Sequence, residues 1–150
     1  MLTADDGGLV HLWDAETGKS KKTIQAGQQV TALAIDPSGQ WLAVARADRT
    51  IVVWDLKTGG VRIELRKHTD AINALAFSPD GNTLASGGDD RTAIIWDLAT
   101  GRSKRTLKGH DMTVTSLAFS PDGLILASGS GNAAVVLWNV TTGKLDRILR

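Results

Sequence analysis

The stretch HTDAINALAFSPDGNTLASGGDDRTAIIWDLATGRSKRTLKG, residues 68–109, decides the fold because the chain repeats it. Residues 110–150 restart with HDMTVTSLAFSPDG and reach VVLWN in the same register. Four of the five tryptophans recur at spacings of 41, 42 and 42 residues: Trp13, Trp54, Trp96 and Trp138. The three prolines recur every 42 residues: Pro37, Pro79 and Pro121. A fixed period of this length is typical of arrays in which each repeat forms one small structural unit.

Within one repeat the sequence pattern is that of strands. Residues 71–77 alternate at period two, which predicts a strand with Ile72, Ala74 and Ala76 on one face. SPDG follows at 78–81, with Pro suited to the second position of a type I turn and Gly to the left-handed position after it. Three more strands are predicted, over 83–86, 92–97 and 102–108, with Asp89–Arg91 as a turn. Four short antiparallel strands per repeat predict an all-β fold built from propeller blades.

The fourth predicted strand of every repeat is strongly basic, as in RSKRTLK at 102–108 and KSKKTIQ at 19–25. Lysine and arginine on the outermost strand of a blade would protect an unpaired edge from association with other chains. A basic groove for nucleic acid is the alternative interpretation. Glu64 and Asp146 interrupt the positive runs and no aromatic residue lies among them, so the sequence favours the solvated edge and predicts no nucleic-acid partner.

Composition excludes several other classes of site. A net charge of +1 gives no general attraction to nucleic acid or an anionic membrane, and the absence of cysteine excludes disulfides, thiolate metal sites and thiol catalysis. The apolar runs are too short for a membrane-spanning helix. Three scattered histidines without a paired spacing indicate no metal site. We therefore expect a cytoplasmic protein with no membrane partner, metal or cofactor.

With SPDG, Gly109-His110 and the dipeptides Trp54-Asp55 and Trp96-Asp97 in register, the chain resembles the WD-repeat β-propeller family. The resemblance implies a partial propeller of about 3.75 blades, each of four antiparallel strands. On this resemblance, residues 1–150 form one domain, with an incomplete repeat at about 1–25 and complete repeats at 26–67, 68–109 and 110–150. The family implies a platform for protein binding that is rarely catalytic itself.

The resemblance also implies a structural tetrad in each blade, in which Trp donates to Ser, Ser to His, and His to Asp. The matching residues of the third repeat are His68, Ser86, Asp90 and Trp96. Those of the fourth are His110, Ser128, Asn132 and Trp138, where Asn132 would accept a hydrogen bond without contributing charge. The second repeat keeps only Asp48 and Trp54, because Ala26 and Val44 replace His and Ser, and the first keeps Thr3 and Trp13.

The residue types His68, Ser86 and Asp90 are also those of a hydrolase triad. Two observations argue against that interpretation. The set recurs 42 residues later as His110, Ser128 and Asn132, and neither serine lies in a GxSxG elbow. We therefore expect no catalytic residues.

The family implies a docking surface at one end of the blades, formed by the loop before each first strand and the turn between the second and third strands. The matching residues are Gln29, Arg46, Thr69, Ala71, Asp89, Arg91, Asp111 and Thr113. None is Trp or Tyr, two of the residue types that dominate interaction hot spots. Trp41, the tryptophan outside the repeat phase, is interpreted either as a packing residue or as an exposed anchor.

The sequence thus predicts a non-catalytic scaffold for protein–protein interaction. The alternative is a regulatory or substrate-recruiting propeller segment of a larger multidomain signalling enzyme. Fifteen strands are predicted: three in the first blade, which lacks its innermost strand, and twelve more that end at 146–150. Either the chain is a fragment of a longer propeller, or two chains associate through their open blade faces. The fragment is favoured, because a half-ring should begin at a strand boundary.

Overall fold

The computed structural model describes residues 1–5, 7–27 and 29–149, and within these ranges every regular element is a β-strand. Blade 1 has three strands: β1 (Leu2–Ala4), β2 (Leu9–Trp13) and β3 (Ser20–Gln25). Blade 2 has four: β4 (Val30–Ile35), β5 (Trp41–Arg46), β6 (Thr50–Asp55) and β7 (Val61–Arg66). Blade 3 has β8 (Ile72–Phe77), β9 (Thr83–Gly88), β10 (Thr92–Asp97) and β11 (Arg102–Lys108). Blade 4 has β12 (Val114–Phe119), β13 (Ile125–Ser130), β14 (Val135–Asn139) and β15 (Leu145–Leu149).

Each blade is an antiparallel sheet in which strands adjacent in sequence pair with one another. Blades 2, 3 and 4 have four strands and blade 1 has three, which confirms the predicted all-β fold of about 3.75 blades. No helix in the described ranges is long and apolar enough to cross a membrane. The last strand, predicted within KLDRILR at 144–150, spans Leu145–Leu149, and Arg150 lies outside the described residues.

Two kinds of turn connect the strands, and they define the two ends of each blade. The SPDG segment forms the predicted turn, because the Gly81 N–H donates to the Ser78 carbonyl at 2.9 Å and Gly81 has a positive φ of 69°. We call the end that carries SPDG and the Thr-Gly turns the lower end. The other end carries the turns between second and third strands and the loops before first strands; we call it the upper end.

The second strand of blade 3 is longer than predicted. It extends past Ser86 to Gly88, since Gly87 pairs with Ala93 of β10 and Gly88 with Ile72 of β8. A Cβ on Gly88 would lie 2.3 Å from the Ala71 carbonyl oxygen, so the close approach of two strands requires glycine there. The sequence pattern failed here because glycine favours turns in isolation, whereas two neighbouring strands continue the ladder on both sides.

Each repeating tryptophan stands at an irregularity in the sheet. The register between the third and fourth strands shifts immediately before Trp13, Trp54, Trp96 and Trp138. A bulge re-aims a side chain and increases the local twist. The same irregularity in all four blades therefore gives the four indole rings the same place in their sheets.

Apolar layers between neighbouring blades form the core. Leu42 and Val44 of blade 2 pack with Val10 and Ile24 of blade 1, while the opposite face of blade 2 packs on blade 3. Ala85, Ala93, Ile95 and Leu107 of blade 3 pack with Leu126, Val136 and Trp138 of blade 4. Burial of both faces of the inner blades supplies the main stabilisation of such a stack.

Trp41 belongs to the layer between blades 2 and 3, where it is partly buried against the core. The Arg62 guanidinium lies 4.0 Å from the centre of its ring, over the indole. This is a cation–π contact in which the arginine covers aromatic surface. Of the two interpretations from sequence, the packing role is the one that the contacts support.

Candidate functional site

The four candidate residues of blade 3 form one continuous hydrogen-bonded chain. Trp96 Nε1 donates to Ser86 Oγ at 2.8 Å, and Ser86 Oγ lies 2.7 Å from His68 Nε2. The other ring nitrogen, His68 Nδ1, lies 2.7 Å from a carboxylate oxygen of Asp90. With the ring proton on Nδ1, towards the Asp90 carboxylate, Ser86 accepts from the indole and donates to Nε2, and the ring donates to the carboxylate. It links the third strand, the second strand, the preceding loop and the upper turn of one blade.

Asp90 is the residue that holds the upper turn of blade 3 in place. Its carboxylate accepts the Thr69 N–H at 3.1 Å and both the N–H and the hydroxyl of Thr92, at 3.1 and 2.8 Å. Burial raises the pKa of this carboxyl, but the hydrogen bonds from Thr92 and His68 outweigh burial and hold the pKa below its usual value. The turn next to Asp90 is therefore anchored on a charged, internally satisfied group.

In blade 4 only three of the four residues are joined. Trp138 Nε1 donates to Ser128 Oγ at 2.7 Å, and Ser128 Oγ lies 2.6 Å from His110 Nε2. The expected bond between His110 and Asn132 does not form within the described part of the chain. Asn132 instead accepts the backbone N–H of Ala134 at 3.2 Å, because a short side chain in a turn readily bonds the nearby backbone.

Because His110 in blade 4 has no carboxylate partner like Asp90 among the described residues, we expect its protonation to make the stability of the protein depend on pH. Burial lowers the pKa of the His110 imidazole below its usual value, and the Asp111 carboxylate only partly opposes that shift. Below the unfolded-state pKa of about 6.5, the unfolded chain takes up the proton before the folded chain does, so stability falls as pH decreases. We expect the free energy of unfolding, measured by urea denaturation, to decrease from pH 7 towards about pH 5.

The matched variant for this effect is His110→Gln, which removes the titrating ring. We expect its free energy of unfolding to depend less steeply on pH over the same range, because the proton uptake of residue 110 is gone. An unchanged slope in the variant would show that another group causes the loss of stability.

The networks of blades 1 and 2 are reduced. In blade 1, Trp13 Nε1 donates to Thr3 Oγ1 at 2.7 Å. In blade 2, Trp54 Nε1 is buried and has no hydrogen-bond partner among the described residues, since Val44 offers it no oxygen. Asp48 bonds to Thr50 instead, through its N–H at 3.0 Å and its hydroxyl at 2.6 Å. The structure therefore brings Thr3 and Trp13 together but does not connect Asp48 to Trp54.

The burial of Ser86 decides what its network can do chemically. Ser86 is fully buried at 0% exposure, and its hydroxyl is already engaged by the indole and the imidazole. A nucleophilic serine needs access to the substrate and donors for an oxyanion. The set of His68, Ser86 and Asp90 is thus placed to hold a turn, not to attack a substrate.

The candidate docking residues lie at the upper end, where backbone hydrogen bonds join turn and loop. In blades 2, 3 and 4 the turn bonds to the loop before the first strand: Ala47 N–H to the Gln29 carbonyl at 2.9 Å, Asp89 N–H to Ala71 at 2.8 Å, and Gly131 N–H to Thr113 at 3.1 Å. Five of these side chains belong to exposed residues: Gln29, Thr69, Asp89, Arg91 and Asp111. Three belong to half-buried residues: Arg46, Ala71 and Thr113. Arg46 Nε is buried without a hydrogen-bond partner among the described residues.

The family described as "WD domain, G-beta repeat" matches residues 18–55, 59–97 and 101–139. The chain belongs to the WD-repeat family. Among its relatives, the small ribosomal subunit protein RACK1 of Glycine max is 32% identical over 68 residues, which is 43% of this chain and 21% of that protein. The coronin-like protein of Saccharomyces cerevisiae is 31% identical over 74 residues, 49% of this chain and 11% of the relative.

A third relative is the pre-mRNA-splicing factor PRP46 of Yarrowia lipolytica, 44% identical over 36 residues, 24% of this chain and 8% of the relative. The aligned segments thus span about a fifth or less of the length of these three proteins.

Sequence reasoning about these WD repeats missed two clefts at the upper end. One, of about 470 Å³, lies beside the turn of blade 3 and is lined by Lys67, Arg91 and Lys108. The other, of about 280 Å³, lies beside the turn of blade 2 and is lined by Arg49, Arg66 and Lys67. Two sequence patterns indicate them: the repeated Asp-Arg-Thr of residues 48–50 and 90–92, and the basic fourth strands, whose ends supply Arg66, Lys67 and Lys108. Among the described residues, no group of three or more His, Cys, Asp or Glu side chains is placed to hold a metal ion.

Proposed function

We propose that this WD-repeat chain binds protein partners through the upper end of its blades and catalyses no reaction itself. The proposal rests on one observation: hydrogen bonds to a fixed carboxylate anchor the turn that presents the exposed residues. Asp89 and Arg91 flank Asp90, whose carboxylate is fixed by His68, Thr69 and Thr92. A turn that is rigid before binding loses little conformational entropy on binding, which favours affinity.

The relatives support the same class of function. RACK1 is named as a protein of the small ribosomal subunit and PRP46 as a pre-mRNA-splicing factor. Neither name states a reaction. A platform that presents side chains from repeated turns on a fixed β-scaffold fits such roles, because the loops of a rigid fold are where binding residues concentrate.

The test is affinity capture with a triple variant of the upper end: Asp89→Ala, Arg91→Ala and Asp111→Ala. The control places three exposed changes of charged residues at the lower end: Glu16→Ala, Lys57→Ala and Lys144→Ala. We expect partners identified by mass spectrometry with the unmodified chain to be lost from the upper-end variant and retained by the control. Retention of all partners by a folded upper-end variant would contradict the proposal, and unchanged circular dichroism establishes folding.

We further propose that the open face of blade 4, defined by Val135, Leu137 and Leu149, packs against another blade. One repeat earlier the same positions are Ala93, Ile95 and Leu107, which are 0%, 0% and 1% exposed in the layer between blades 3 and 4. Leu149 by contrast is 47% exposed. An apolar sheet face of this kind is stabilised by contact with a neighbouring repeat.

The covering blade would come either from a second copy of the chain or from further repeats of a longer propeller, and solution mass distinguishes the two. A dimer that dissociates on Leu137→Glu would identify the second copy. A monomer that binds an apolar dye, and binds less of it after Leu137→Glu, would identify further repeats as the natural cover. A monomer with no dye binding would contradict the proposal that this face needs a cover.

A further inference from the structure

The two upper-end clefts adjoin, because Lys67 and Thr69 line both of them, and we call the two together the groove. The lining repeats from blade to blade. Asp48, Arg49 and Thr50 line the cleft of blade 2, and Asp90, Arg91 and Thr92 take the equivalent places in the cleft of blade 3. Arg49 and Arg91 both have positive φ values, of 69° and 62°. The chain therefore presents the same arginine from the same tight turn in two successive blades.

Most cations of the groove form no ion pair with a carboxylate in the part of the chain that the structure describes. Within the described ranges, Arg91 and Lys108 have no ion-pair or side-chain hydrogen-bond partner. Lys67 Nζ donates to the neutral hydroxyl of Ser103 at 2.7 Å, and Arg49 donates to the Thr69 carbonyl at 3.0 Å. Among the described residues, Arg66 alone of these cations is paired, with Glu64.

Two carboxylates also line the groove. Asp48 accepts two hydrogen bonds from Thr50, and Asp90 accepts from His68, Thr69 and Thr92. These hydrogen bonds leave each carboxylate its negative charge, so Asp48 and Asp90 offset part of the positive charge, and Asp48 is attracted to Arg66. Five cations still stand against these two carboxylates in a chain with a net charge of only +1: Arg49, Arg66, Lys67, Arg91 and Lys108.

We propose that this groove binds an acidic peptide segment of a protein partner, with its carboxylates on Arg91, Lys108 and Lys67. Arginine and lysine favour carboxylates electrostatically, and an anionic segment along the groove would meet cations from two blades in succession. No Trp, Tyr or Phe side chain lines either cleft, and the two histidines that do, His68 and His110, are buried, so the groove lacks the exposed stacking surface that single-stranded nucleic acid uses. This inference rests on the proposed function and names the chemistry of its partner.

The test measures fluorescence anisotropy of a labelled oligoglutamate of about ten residues, with oligoglutamine and oligouridylate as comparison probes. We expect the oligoglutamate to bind, the oligoglutamine not to bind, and affinity to fall between about 50 and about 200 mM NaCl. The variant Arg91→Gln with Lys108→Gln should weaken binding about tenfold, because two uncompensated charges are lost. The control Lys57→Gln with Lys144→Gln removes the same net charge at the lower end and should change affinity less than about twofold.

Three results would overturn the inference: no binding of oligoglutamate, equal weakening by the control pair, or tighter binding of the oligouridylate. If Arg91→Gln with Lys108→Gln does not fold, Arg49→Gln with Lys67→Gln tests the other half of the groove. The outcome is separable from the proposed function. If partner capture depends on the upper end but oligoglutamate does not bind, only the acidic-peptide inference is rejected. If partner capture is unaffected by the upper-end variant, the proposed function is rejected.

Discussion

Replacing His68 with alanine is expected to lower the free energy of unfolding by about 3 kcal/mol or more. The His68 side chain is 0% exposed and contacts Ser86 through one ring nitrogen and Asp90 through the other. Its removal leaves the buried Ser86 hydroxyl and the nearly buried Asp90 carboxylate without their shared partner. Leaving a buried polar group without a partner costs more free energy than the hydrogen bond contributed to stability. Urea denaturation followed by tryptophan fluorescence measures the loss.

His110→Ala is the matched control, since blade 4 has the same bond to serine but no carboxylate on the ring. Its expected cost is about 1 to 2 kcal/mol, from one hydrogen bond and some burial. Equal losses in the two variants would show that the carboxylate of Asp90 contributes nothing to blade 3.

The second large effect is expected at the tryptophans. Trp96→Phe should cost about 2 to 3 kcal/mol, because the buried indole donates to Ser86 and fills space in the layer between blades 2 and 3. Trp54→Phe should cost at least about 1 kcal/mol less, since its buried N–H has no partner to lose among the described residues and the ring is only half-buried.

Trp138→Phe completes the series and should resemble Trp96→Phe, because its indole also donates to a buried serine. The comparison uses the same substitution at equivalent positions of three blades, so ring size is constant. A Trp54→Phe loss as large as that of Trp96→Phe would mean that packing, not the serine hydrogen bond, sets the cost.

The fold was predictable because its signals are local and repeated. SPDG at 78–81 specifies its own turn, and the alternation in 71–77 specifies its own strand face, so errors are confined to strand ends. The strand that extends to Gly88 shows the limit: two neighbouring strands continue a ladder that glycine alone would not predict. Because the repeats are in register, a strand or turn predicted in one repeat is also predicted at the equivalent positions of the others.

The site was less predictable because it depends on distant residues. The alignment of His68, Ser86 and Asp90 follows from the family pattern, but the turn of Asn132 towards Ala134 depends on competition between a side-chain and a backbone bond. The groove is even harder to predict from the sequence. Arg91 and Lys108 meet there only because β10 and β11 pair and the following loop leads to blade 4.

Docking of partners on the upper end of the blades is tested by hydrogen–deuterium exchange on a captured complex. We expect partner binding to slow exchange in the upper turns and loops, at residues 46–50, 69–71, 88–92 and 111–113. The lower turns, at 36–39, 78–81 and 98–101, should exchange at the same rate with and without partner. Slowed exchange confined to those lower turns, or to the outer strands β7 and β11, would contradict the account.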